Sequence, residues 1–157
     1  MILERRKSKD LSRLALARFA NRAQRIAGLS GEVNILLTGD AEIQRLNLQF
    51  RRKNESTDVL SFPSGQPLPG GDIAISLQTA RAQAAVIGHN LLTEVKVLIL
   101  HGMLHLAGHD HETDCGQMRK LERRLRAELN LPAGLIERAT ESTAPSPRKA
   151  SSKRRPS

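Results

Sequence analysis

The 157-residue sequence predicts an α+β fold in which four short strands and about five helices share one core. Three observations carry that prediction. Apolar residues alternate between a period of two, the mark of a half-buried strand, and a period of 3.6, the mark of an amphipathic helix. Two strand-like runs, Val59 to Phe62 and Asp72 to Ser76, are separated by a Pro/Gly-rich loop and read as an antiparallel pair. A third run, residues 92–107, is helical in length yet apolar on every side, which places it inside the molecule.

Taken in order, Met1 to Glu4 reads as a short edge strand. Residues 9–27 form a helix in which Leu11, Leu14, Ala15, Phe19, Ala23 and Ile26 make the inner face, while Arg13, Arg18, Arg22 and Arg25 fall mostly elsewhere. Gly28 and Gly31 end it. Glu32 to Leu37 alternates as a strand, with Val33, Ile35 and Leu37 on one side. Thr38 or Asp40 caps a second helix whose buried stripe is Ile43, Leu46 and Phe50. A basic, polar loop then runs straight into Val59 to Phe62, and polar side chains at the mouth of a strand often line a site. Ser76 caps a helix over 78–87 that Gly88 closes, and Asn90 or Thr93 opens the central helix. Asp114 with Gln117 resembles a capping pair for a last helix, 114–129, that turns Met118, Leu121, Leu125 and Leu129 inward. From Ala139 the composition changes to Ser, Pro, Lys and Arg, with too little apolar surface to offset the entropy of ordering. The expected organisation is therefore one domain, 1–138, and a disordered basic tail, 139–157.

The formal charge of +9 and the pI near 10.8 point to a polyanionic partner such as nucleic acid. The tail holds five basic residues against Glu141, a local +4, which leaves +5 on the remaining chain. There is no Trp or Tyr, and Phe19, Phe50 and Phe62 all stand at core-like positions, so a base-stacking platform is poorly supported. The single Cys, Cys115, excludes an internal disulfide and a Cys-rich zinc cluster, and fits a reducing compartment. Its thiol is a conceivable soft ligand, although a thiol without a role is the more economical reading. No apolar run is long enough to span a bilayer, and arginines interrupt any N-terminal apolar stretch. A cytoplasmic location is the default expectation.

The chemistry concentrates in residues 101–111, which hold His101, His105 and His111. On a helix the first two differ by about 40° and one turn, so both imidazoles share a face. Gly108 supplies the left-handed residue that ends the helix and returns His111 towards the pair. Three neutral imidazoles with no fourth protein ligand describe a catalytic zinc site, one ion per chain, with a position left for water. The bland alternative requires polar rings side by side in an aliphatic helix, each needing its own partner. His89 and His109 lie at no ligand spacing and read as exposed loop residues. The spacing matches the HExxHxxGxxH pattern of metzincin proteases in every ligand, but Gly102 stands where those enzymes carry their general-base Glu. Peptide hydrolysis becomes a minor reading. Asp110 or Glu112 would have to substitute, and Asp110 is better placed to orient a ligand imidazole from behind.

The three segments LNLQFRRKNESTDVLSFP (46–63), GDIAIS (71–76) and HGMLHLAGHDH (101–111) together resemble the YbeY family of bacterial endoribonucleases. The resemblance covers about residues 30–130 in consistent order. It implies a small mixed sheet and zinc on His101, His105 and His111. It also implies hydrolysis of single-stranded RNA, a role in small-subunit (16S) rRNA 3′-end maturation and ribosome quality control, and partnership with rRNA and the small ribosomal subunit. The family's functional arginine falls on Arg51, which read without the resemblance is a solvated loop residue. Arg52 stands where the family often has Gly, and His109 where it often has Tyr. As catalytic residues the resemblance implies Arg51, binding the scissile phosphate by its planar fork, and His101. Thr57, Asp58 and Ser61 are weaker candidates that could simply satisfy loop backbone or cap the strand. Water and the ribose 2′-OH both remain open as nucleophile, and neither the general base nor the oligomeric state is assigned. A rival from another class is a non-catalytic ribosome-assembly factor in which zinc is structural; closed structural sites, however, usually have four protein ligands.

Overall fold

Among residues 1–6, 8–109 and 115–132, which the computed structural model describes, the chain runs β1 (Ile2–Glu4), α1 (Arg13–Ile26), β2 (Val33–Thr38), α2 (Asp40–Arg51), β3 (Val59–Pro63), β4 (Gly71–Ser76), α3 (Leu77–Ile87), α4 (Leu91–Leu106) and α5 (Gln117–Glu128). The fold is α+β with one mixed sheet in the order β1-β2-β4-β3. β1, β2 and β4 are parallel, and the expected hairpin closes the sheet by pairing β3 antiparallel to β4, with Ser61 opposite Ile73.

The sheet buries both faces, unequally. On one side Val33, Ile35, Leu37, Ile73 and Ile75 pack against α1 and α4, joined by α3 and α5, in the main core. On the other, α2 covers a much smaller cluster of Ile43, Leu60 and Ala74. Helix α4 is enclosed as its composition requires: twelve of its residues are buried, Glu94 and His101 among them. Among the described residues no single helix is long and apolar enough to cross a membrane.

Several boundaries and faces differ from the sequence reading. Helix α1 starts at Arg13 behind an Ser12 cap, whose hydroxyl accepts from the Ala15 N–H at 3.1 Å. Its buried stripe is Leu16, Phe19, Ala20 and Ala23, a spacing of 3, 4 and 7, and Leu14 lies about 200° from Leu16 on the wheel and is exposed. Helix α2 is preceded by Gly39 rather than capped by Thr38 or Asp40, and α5 begins at Gln117 after Gly116. The proposed cap Asp114 and the tail 139–157 lie outside the described residues. Ser76, Asn90 and Gly88 end their helices as expected.

Candidate active site

Helix α4 brings two of the three predicted ligands together. His101 Nε2 and His105 Nε2 are 3.1 Å apart, with the rings at 71°. His101 is buried and His105 partly so. The helix ends in a Schellman turn, as its sequence requires. Gly108 takes φ 99°, its N–H donates to His105 O, and the His109 N–H donates back to Leu104 O, both at 3.0 Å. The chain thus leaves α4 directly after the His pair. His111, Asp110 and Glu112 lie outside the described residues, among which no three His, Cys, Asp or Glu side chains gather as a metal-binding group.

A residue missed by sequence reasoning stands behind His101. Glu122 of α5 is 2% exposed, and one of its carboxylate oxygens lies 3.1 Å from His101 Nδ1. A carboxylate only accepts, which assigns the proton to Nδ1 and makes Nε2, the atom facing His105, an acceptor. This is the orienting role that sequence reading gave to Asp110. The signal was present but faint: Glu122 follows Met118 by four residues and precedes Leu125 by three, inside the buried stripe of α5.

The donor set fits a zinc ion. Two imidazole nitrogens bound tetrahedrally at about 2.0–2.1 Å stand roughly 3.3 Å apart, close to the separation of the His pair. A buried imidazole backed by a carboxylate, with its lone pair turned to a second imidazole, is what such a site needs before the ion arrives.

Gly102, next to His101, explains the missing general base. A Cβ there would lie 3.1 Å from two Ile73 side-chain carbons and from Ser61 Oγ. A side chain at this position would press on Ile73 and Ser61, which would have to give by a few tenths of an ångström. Ser61 donates to Gly102 O at 3.1 Å and so ties the hairpin to the His-bearing turn. Asp58 accepts from the Val59 N–H at 2.8 Å and from Gln83 at 3.2 Å, and Thr57 bonds to Asp58. These three residues are occupied in holding the strand and loop.

Arg51 is the last residue of α2 and is exposed. It lines a groove of about 650 Å³ shared with Phe50, Phe62, Ser61 and Ile73. Of these, Ser61 also bonds to Gly102 O of the His-bearing turn, which links the sheet beside the groove to α4. Arg52, where the chain turns, adopts φ 59°, a left-handed conformation better suited to glycine. His89 is not an exposed loop residue: its Nε2 lies 2.7 Å from the buried Glu94 carboxylate. His109 is half-buried, and Cys115 is exposed with its N–H bonded to Gln117.

Comparison with known proteins identifies one family. The family model described as Endoribonuclease YbeY matches residues 3–130. Endoribonuclease YbeY of Solibacter usitatus is 55% identical over 134 residues, 85% of this chain and 90% of that protein. Its counterpart in Koribacter versatilis is 49% identical over 141 residues, 90% of this chain and 93% of that protein. The solution structure of a Thermotoga maritima protein superposes with a TM-score of 0.57 at 28% identity, covering 82% of this chain and 89% of that one.

Proposed function

The chain belongs to the YbeY family of endoribonucleases, hydrolases of RNA phosphodiester bonds, and from that premise we propose that it is a zinc-dependent, single-strand-specific enzyme of ribosomal RNA maturation. In this reading residues 1–138 form the catalytic domain, His101, His105 and His111 hold one zinc ion, and the substrate is rRNA on the small ribosomal subunit, met in the cytoplasm. Maturation of the 16S rRNA 3′ end and ribosome quality control are the corresponding cellular tasks. The observation that supports it most is the His101–His105 nitrogen pair with Glu122 behind it.

When bound, zinc supplies Lewis acidity to the attacking oxygen or to the phosphoryl group. The rest falls to the chain's own groups. Glu122 holds His101 in one tautomer and one orientation. Arg51 takes the phosphate by its planar fork and offsets charge that develops on the phosphoryl oxygens. Ser61 keeps the hairpin at a fixed distance from the His-bearing turn. Gly102 carries no carboxylate where the protease pattern has its general-base glutamate, which argues against peptide hydrolysis.

The test is cleavage of single-stranded RNA by metal-loaded, chelated and His101→Ala protein freed of contaminating nucleases. Chelation and His101→Ala should each abolish cutting, and Arg51→Ala should lower it about 100-fold while keeping the metal. RNA or ribosome binding that persists without any metal-dependent cutting would instead identify an assembly factor.

A further inference from the structure

Sequence reasoning assigns all three phenylalanines to the core, and only Phe19 is buried. Phe50, at the end of α2, is 60% exposed, and Phe62 on the edge strand β3 is half-buried. Their rings meet edge to face, with centroids 5.4 Å apart at 64°. Phe62 also packs against the cluster under α2, so it is the exposed Phe50 ring that offers a face to a further planar group. Both rings line the groove of about 650 Å³ that contains Arg51. A second hollow of about 590 Å³ shares Phe62, Pro63 and Asp72 with it and continues to the loop 64–70. The two make one open channel across the side of the sheet that α2 leaves partly uncovered.

The geometry points to this channel as a nucleobase-binding subsite, in which bases of single-stranded RNA stack on Phe50 beside Phe62 while the backbone passes Arg51. The inference rests on the ribonuclease reading above and adds the part of the substrate that no phosphate contact recognises. Charge chooses the occupant. Arg51 lines the groove and is followed by the exposed Arg52 and Lys53, a cationic rim for phosphates. Opposite stands Asp72, whose carboxylate accepts from Asn34 at 3.2 Å. An anion on that wall repels phosphate and offers an acceptor to the amino groups of base edges. The strand is therefore oriented with its backbone towards α2 and its bases inward. An apolar peptide would match the phenylalanines but not this division of charge. The volume suits one base and its sugar, with the adjoining hollow available to a neighbour.

The chain has no Trp or Tyr, which makes the test direct. The full-length, metal-loaded protein is titrated with a short 2′-O-methyl oligoadenylate, chosen to resist cleavage, and with the same backbone made abasic. Phe50→Ala should weaken oligoadenylate binding about tenfold and leave abasic binding unchanged, since stacking on one ring contributes roughly that factor. Phe50→Trp should bind as tightly as the wild type, and its indole, unique in the chain, should be quenched by the oligomer. Phe50 is mostly exposed, so circular dichroism should show both variants folded. Equal losses on both oligomers, wild-type affinity in Phe50→Ala, or tight binding without quenching would each overturn the subsite. Indole emission that changes with protein concentration alone would assign the channel to a second copy. If the folded wild type binds neither oligomer, the ribonuclease reading falls as well; if it binds both and the Phe50 variants do not respond, only the subsite is lost.

Discussion

Glu122 fixes which nitrogen of His101 faces its neighbour, and a site built on imidazoles depends on that choice. Glu122→Ala should lower zinc affinity about 10- to 100-fold in competition with a chromophoric chelator, while Glu122→Gln, which keeps an acceptor, should lose less. Equal affinity in all three proteins would reduce Glu122 to a packing residue. The pairing of His101 with His105 was legible in the sequence because a four-residue spacing sets both on one helix face, whereas Glu122 was hidden among arginines and lysines that look like a solvated face. Its place in the Met118–Leu125 stripe was the available sign. Arg51 was singled out only through family resemblance, since a basic loop residue has no spacing to test. Phe50 was misread because periodicity reports the face of a helix and not how far the opposing surface extends. The stripe of Ile43 and Leu46 reaches Phe50 after the three-residue cluster under α2 has ended.

Among the elements, α4 was the most legible, because a helix apolar on all sides has only one place to go. What its sequence did not reveal is the closeness of the hairpin. Gly102→Ala should destabilise the protein by about 1–3 kcal/mol in urea unfolding, as the new methyl group must displace Ile73 and Ser61. An unchanged midpoint would mean that the hairpin yields freely. Helix α2 is held at its start by a different device. The Asp40 carboxylate accepts from the Ser76 hydroxyl and, at 2.7 Å, from Thr79, and these bonds draw its pKa below the ordinary 3.8. A pKa lowered by folding contributes stability that is complete above about pH 4 and disappears as pH falls through the folded value. Asp40→Ala should therefore be less stable than the wild type near neutrality, and the difference should narrow in unfolding measured below about pH 4. A constant difference across pH would rule out the clasp. Sequence reading took Asp40 for a possible helix cap; its partners come from the β4–α3 junction, a neighbourhood created only by the β2–β4 pairing.

At the scale of the whole molecule, strand order was the least legible feature. The β3–β4 hairpin follows from its loop, but the parallel contact of β2 with β4 joins segments 38 residues apart and has no local signal. Charge, by contrast, is read directly. With +5 outside residues 139–157, RNA binding should survive removal of that tail. The slope of log affinity against log salt should become shallower by about 0.7 for each phosphate contact the tail makes. The unequal cores on the two sides of the sheet also set a hierarchy of opening. Amide protons of α4, enclosed by the large core, should exchange with solvent only on global unfolding, whereas those of α2, seated through Ile43 on Leu60 and Ala74, should exchange through smaller fluctuations. A wall carrying Phe50 and Arg51 that opens before α4 does would admit a strand of the proposed substrate while His101 and His105 stay in register.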